Sequence, residues 1–456
     1  MARSDSAPAS AAAQAGSADV APVVAVRRLT SQLLADPLLA GPSADARVSA
    51  VVGAVGRVLA VQAQDLRGLR LAVRSRTTGL TVADVDRAFA ERKIVVTWLN
   101  RGTLHLVRAE DYQWLHALTA PRQHAFVRRR LAEEGVSPTE ADRAVSLVER
   151  ALADEGPLTR GRLRDLLGAA GVPVAGQALI MILVHASLRG MVVRGPMAGT
   201  EQAYALASDW LGELAAPPAP SSPSAPDPGP ASDPGPASDP GPALDPGPGS
   251  DPGVDRDAAL SELTVRYLAG HGPADDRDLA TWSGLPLRDI RRGFALAAEA
   301  GRIETSDDGR AITRNHPAGF GADEPDDPDA RGTADRAGRG ATGGGGGGSP
   351  DEMGLETLRS RLLGPFDPVL HGWASRDWVT GPYRGIVTVN GIFRPIALVA
   401  GRAAATWTMP AGKVALSPFA PLTPDIESAL HAEATDIQRF FVGAADSPAD
   451  VPDSAG

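Results

Sequence analysis

The chain has 456 residues, 43% hydrophobic and 22% charged, with a formal charge of −10; it is too long for one core and long enough for three or four ordinary domains. Absence of cysteine excludes disulfides, thiolate nucleophiles and thiolate zinc sites, and eight histidines without close pairing point to no protein-built metal site; no organic cofactor is expected. The acidity argues against a nucleic-acid partner only until it is located: residues 214–256 hold six Asp against one Arg and 319–352 hold eight acidic residues against three Arg, which leaves the foldable segments mildly basic.

Residues 1–22 are rich in Ser and Ala and lack a basic start before an apolar run, so a disordered tail is expected rather than a secretory signal. Residues 23–110 form a first unit, with helices expected over 27–35, 47–60 and 81–92. Strands at 94–98 and 103–107 join through Leu99-Asn100-Arg101-Gly102. A second unit spans 111–213, with a helix over 139–154. Its apolar stretch 178–188 contains His185 and is far too short for a membrane span.

The Asp-Pro-Gly-Pro repeat in 214–256 predicts an acidic disordered linker. After it, a third unit (257–318) repeats the second. At a constant offset of 116, Gly156-Pro157 meets Gly272-Pro273 and Leu163 meets Leu279. Each copy then passes a Gly-apolar-Pro turn into a second helix that ends at Gly190 or Gly301 before a β-type stretch. That is the order of a helix-turn-helix followed by a wing. Residues 319–352 contain Gly343 to Gly348, another disordered linker; no Gly-Lys-Ser/Thr follows, so it is no phosphate loop. In 353–442, strands are expected at 385–389, 392–398 and 404–408, with Asn390-Gly391 as the hairpin turn and a closing helix at 426–441. Residues 443–456 read as a second tail. The expected fold class is α+β multidomain: three tandem winged-helix modules plus a small C-terminal β-barrel-like domain.

Such modules make double-stranded DNA the default partner without fixing an activity. The segment most suggestive of chemistry is 58–76, VLAVQAQDLRGLRLAVRSR. In extended backbone Gln62 and Gln64 point the same way, so both amides can converge on one atom. Asp65, Arg67, Arg70, Arg74 and Arg76 follow. Asp65 can cap the next helix, and the arginines are either a solvated face or phosphate ligands. Thr103 and His105 alternate on one strand, as a cross-strand pair or a satisfied core histidine, or as DNA-facing groups. Phe366-Asp367-Pro368 reads as a corner of the last domain, and Arg376 is a candidate DNA contact.

On Gln62-Ala63-Gln64, the run Arg101 to Val107 and Pro365 to Pro368, the chain resembles the AlkZ/YcaQ-like family of bacterial winged-helix DNA glycosylases. Its Gln-Ala-Gln is similar to the AlkZ branch, the other branch having Asp in the second position. The resemblance implies a C-shaped clamp on DNA, catalytic roles for Gln62 and Gln64, excision of N7-alkylated purines and, in some members, unhooking of interstrand crosslinks. Two neutral amides suit a base that already carries positive charge, because they can position water and stabilise an oxocarbenium-like transition state without a strong general base. Lys93 and Lys413, the only lysines, are remote from the glutamines in sequence, so a Schiff-base lyase step is not expected. The alternative is a non-enzymatic winged-helix regulator or architectural protein. A cytoplasmic, nucleoid-associated monomer is expected.

Overall fold

The computed structural model describes residues 22–212, 255–314 and 354–442. The expected tails and linkers lie outside the described residues, apart from Pro22, Asp255 and Arg256.

Local polar signals set most of the boundaries. After Pro22–Ser31 (α1) and the short strand Leu38–Leu39 (β1), the Ser43 hydroxyl accepts from Ala46 N–H (3.1 Å) and starts Ala44–Val58 (α2). Leu59, at φ 69°, ends that helix and turns the chain into Val61–Gln62 (β2). Leu66–Ser75 (α3) follows, then Thr77–Thr78 (β3), parallel to β1. Thr81 N–H donates to Asp84 (2.8 Å) at the start of Val82–Ala90 (α4). The hairpin Ile94–Leu99 (β4) and Thr103–Arg108 (β5) closes the segment.

Tyr112–Thr119 (α5) and His124–Glu133 (α6) lead to Pro138–Glu155 (α7), where Ser137 and Glu140 cap each other and Pro138 occupies the first turn. Arg160–Ala169 (α8), Ala178–Leu188 (α9), the hairpin Val192–Ala198 (β6) and Glu201–Leu206 (β7), and Ala207–Leu211 (α10) follow. The next described segment repeats that order as Arg256–His271 (α11), Asp276–Ser283 (α12), Leu287–Glu299 (α13), Ile303–Thr305 (β8) and Ala311–Thr313 (β9). The repeat extends to pairing. Leu158, ahead of α8, bridges Tyr204, and Ala274, 116 residues later and ahead of α12, bridges Ala311.

The first two hairpins are not separate wings, whereas β8 and β9 form a two-stranded sheet of their own. One five-stranded sheet runs β2-β5-β4-β6-β7, with Val96 opposite Arg194 joining the two hairpins. The last segment holds Arg361–Leu363 (β10), Asp377–Thr380 (α14), Ile396–Val399 (β11), Arg402–Thr408 (β12), Ala415–Pro418 (β13) and Pro424–Val442 (α15). Its sheet has the order β10-β11-β12-β13, antiparallel throughout. The barrel expectation is corrected here: among the described residues no sheet closes on itself. Leu430 and Ile437 of α15 cover one face instead, packed with Leu362, Ala397, Ala405 and Trp407. The strand expected at 385–389 is replaced by a 3-10 turn, Arg384–Ile386, and one bridge, Val387 to Phe393. The Asn390-Gly391 turn does form, with Gly391 at φ 73°.

The whole is a mixed α/β fold of several small sheets. Its largest buried cluster draws on all three described segments, including Leu29, Leu99, Tyr112, Tyr267, Trp373 and Leu398. Side chains weld the same junctions: Arg28 to Asp278 (3.2 Å), Arg266 to Asp111 (3.0 Å) and Tyr267 Oη–H to the Gly372 carbonyl (2.6 Å).

Candidate functional site

The glutamines sit where the sheet runs out. Val61 pairs with Leu106 and Gln62 with His105, and Ala63 N–H donates to the Leu104 carbonyl (2.8 Å). Ala63 is buried in the core with residues of α2 and α3, and the chain bends at Gln64, just past the strand. Gln64 is exposed. Gln62 is 8% exposed, and its Oε1 is buried with no hydrogen-bond partner among the described residues. A buried amide oxygen without a donor is costly, which makes it a position prepared for a group from outside, such as water or ligand.

Directly opposite Gln62, the His105 ring contacts the Thr103 carbonyl through Nδ1 (2.9 Å). Burial first, and then the charge of Arg101, push its pKa down to about 3. It is therefore a neutral imidazole at ordinary pH, and cannot serve as a cationic acid. Thr103 is half-buried, and its hydroxyl donates to the Asn100 carbonyl (3.2 Å).

The charged residues after the glutamines divide. Asp65 is the N-cap of α3 and accepts from Gly68 N–H. Arg67 is exposed, against Met409 and over the Phe441 ring (5.3 Å). Arg70 is tied to Asp86 (Nε 3.1 Å). For Arg74 and Arg76 the expectation of phosphate contact is corrected. Arg74 is buried against Glu433 (2.7 Å) and Asp436 (2.6 Å). Arg76, 1% exposed, is bidentate on Asp367 (3.0 Å twice) and reaches Gln32 (2.7 Å). Both guanidiniums are spent on docking the C-terminal segment onto α3, with their carboxylates nearly 300 or more residues away in sequence.

That docking brings up residues that sequence reasoning missed. His371 is buried, packs on the Phe393 ring (3.9 Å) and stacks on Phe366 (6.2 Å, 12°). Its pKa lies well below the usual value, through burial and then the charges of Arg101 and Arg376 and the nearby His105. Arg376 is half-buried, donates from Nε to the Leu370 carbonyl (3.2 Å) and lies over Phe393 (5.0 Å). The hairpin turn thus meets the C-terminal segment around Arg101, His105, His371 and Arg376. The available signal was the Pro365 to His371 run, whose first residues read as an architectural corner; nothing in it shows that its histidine faces the β4–β5 turn. Among the described residues no group of three or more His, Asp or Glu could hold a metal ion, and no helix is long and apolar enough to cross a membrane.

The site therefore offers neutral amides, neutral imidazoles and guanidiniums. The carboxylates of the two motifs, Asp65 and Asp367, are engaged in a helix cap and an ion pair. Such a set can orient water and bind anions, but it is poor at strong general-base catalysis. A model of the DNA glycosylase AlkZ-like family matches residues 55–440. A comparison with curated proteins found no match. Among solved structures, Streptomyces sahachiroi DNA glycosylase AlkZ is similar, with a TM-score of 0.60 and 22% identity, covering 92% of this chain and 96% of that one. With most of its length matched by that family, the chain belongs to the AlkZ-like DNA glycosylases.

Proposed function

We propose that this DNA glycosylase hydrolyses the N-glycosidic bond of N7-alkylated purines in duplex DNA, with Gln62 and Gln64 as the catalytic pair. The observation that carries the reading is the unsatisfied, buried Oε1 of Gln62, with exposed Gln64 two residues further along the chain. A water held by the two amide oxygens would lie where it can attack the sugar C1′. The same oxygens present partial negative charge to the oxocarbenium-like transition state. Alkylation at N7 leaves the purine cationic and ready to depart, so the missing general base is no handicap on a lesion and a safeguard on normal DNA. Applied to a purine tethered through N7 to the opposite strand, the same hydrolysis unhooks a crosslink.

In this reading the helix–turn–helix units with their hairpins act as winged helices, three in number, that grip DNA as a monomer in the cytoplasm, at the nucleoid. Arg67, Thr103, His105 and Arg376 are the DNA contacts that remain once Arg74 and Arg76 are assigned to internal pairs, Arg70 to Asp86 and Asp65 to the cap of α3. The test is release of free base from a duplex with one N7-methylguanine. We expect release by the wild type, none from unmodified DNA, and losses on the order of 10² to 10³-fold for Gln62→Ala and for Gln64→Ala, as for removal of other preorganised polar groups. Tight binding without release would instead make the chain a DNA-binding protein that has lost or never had this chemistry.

A further inference from the structure

We infer that Arg101 and Arg376, brought together from the β4–β5 turn and the C-terminal segment with His371 beside them, form a binding site for one backbone phosphate of DNA. The inference rests on the DNA-glycosylase reading and adds to it the group that fixes the register of the lesion strand.

The first argument is a contrast in how arginines are used. At the other junctions between segments, Arg28, Arg74, Arg76 and Arg266 each end on a carboxylate: Asp278, Glu433 and Asp436, Asp367, and Asp111. Arg101 and Arg376 sit at a junction too, yet end on carbonyl oxygens, those of Thr281 (2.7 Å) and Leu370 (3.2 Å). Among the described residues neither has an ion-pair partner. Asp377, which acts on Arg376 through its charge, lies 3.8 Å from Arg384. Two guanidiniums near enough for Arg376 to lower the pKa of Arg101, after desolvation, repel each other. A fold that holds like charges together with donors left over is arranged for an anion, and the fork of a guanidinium matches phosphate geometry.

The second argument is preorganisation. Arg101 has a left-handed backbone (φ 55°), and its Cγ packs so closely on Gly284 that a Cβ there would stand 2.9 Å away. Its side chain is exposed to an incoming strand while its base is fixed. The Phe393 ring supports Arg376 at 5.0 Å.

The third argument is His371. It is 8% exposed, and its Nε2 has no partner among the described residues. Held neutral between burial and two cationic neighbours, it adds no third positive charge. In the Nε2–H tautomer it has one N–H to give to a phosphate oxygen. The β4–β5 hairpin that carries Arg101 also carries His105 opposite Gln62, so a phosphate held at its turn positions a nucleotide next to the glutamines.

The test uses the full chain and a short duplex with a tetrahydrofuran abasic-site analogue, in which methylphosphonates replace the phosphates of the lesion strand one at a time. Binding is followed by fluorescence anisotropy across a salt series. We expect one neutralised phosphate near the lesion to weaken wild-type binding by on the order of 10-fold, and to lower the slope of log K against log[salt] by about 1. Arg101→Gln and Arg376→Gln should each lower the slope similarly and become indifferent to that replacement, while remaining sensitive to the others. His371→Gln should weaken binding several-fold without changing the slope, because it removes no charge. No sensitive phosphate in the wild type, or the same sensitivity in both arginine variants, overturns the site. Because the scan is first read on the wild type, a variant that folds poorly does not decide it. Base release from N7-methylguanine is measured separately: a phosphate site without release leaves this inference standing and removes the glycosylase reading, and release without a sensitive phosphate does the opposite.

Discussion

Three buried histidines, His105, His271 and His371, stay uncharged for the same reason: a ring taken out of water beside arginines cannot afford a proton. For His105 and His271 burial leads, and both fall to about 3. An unfolded chain returns each ring to about 6.5. Between those values the unfolded state binds more protons than the native one. Their stabilisation is therefore complete above about pH 6.5 and is lost as pH falls toward 3, at roughly 1.4 kcal/mol per pH unit for each ring. Urea unfolding should show little change from these groups between pH 8 and 7, and a loss of stability of a few kcal/mol by pH 5. His271→Gln should flatten that decline. A midpoint that stays constant from pH 7 to 5 would contradict the buried neutral assignment. Base release, by contrast, should be level over the same upper range, since neither His105 nor His371 changes charge there.

At the scale of elements, close approach of backbones decides several positions that a residue-by-residue reading passes over. Gly270 of α11 lies against the end of α2, where a Cβ would overlap the Arg57 carbonyl oxygen and touch Val58 Cα at 3.2 Å. Neither neighbour is a side chain that can swing away. Gly270→Ala should therefore cost on the order of 1–3 kcal/mol or more through overpacking. Gly199→Ala, with open space around it and a φ of 63°, should cost only about 1 kcal/mol from its backbone angle. Thermal unfolding of the two variants separates the cases, and equal losses would mean that the α11–α2 contact gives way.

The Asp65 cap and the 116-residue repeat were legible because their physics is local: Asp65 ahead of α3, and the paired Gly-apolar-Pro turns, announce themselves within a few residues. The arginines of α3 were not. Whether Arg74 and Arg76 face solvent depends on Asp367, Glu433 and Asp436, which no local pattern brings near. The β-branched run at 385–389 reads as a strand, but it pairs only through the single bridge Val387 to Phe393, flanked by hydrogen bonds at Ile386 and Thr388, and the three-residue β10 is too short to show a period.

On the scale of the molecule, the expected modules share their interior. The five-stranded sheet takes strands from both of the first two units, and the largest buried cluster joins residues from before 120, from 259–311 and from 363–403. Elements that bury each other's apolar surface cannot unfold independently without exposing it. The pair Arg76–Asp367 is the sharpest probe of this coupling, since its side chains are 1% and 0% exposed and come from the two ends of the described chain. Asp367→Ala strands a guanidinium inside the protein, and should destabilise by about 3–5 kcal/mol. Because the damage sits in a shared core, the unfolding transition should move as a whole. Tryptophan fluorescence, dominated by Trp98, Trp210, Trp282, Trp373, Trp378 and Trp407 in buried sites, and far-UV circular dichroism should report the same shifted midpoint. Replacing both partners, with Arg76→Met and Asp367→Leu, removes the stranded charge and should recover most of the loss, because two packed apolar side chains can substitute for a buried ion pair. If Asp367→Ala instead splits the curve, with one probe melting early and the other unmoved, the C-terminal segment folds on its own and the shared core is not what holds Gln62 beside His105.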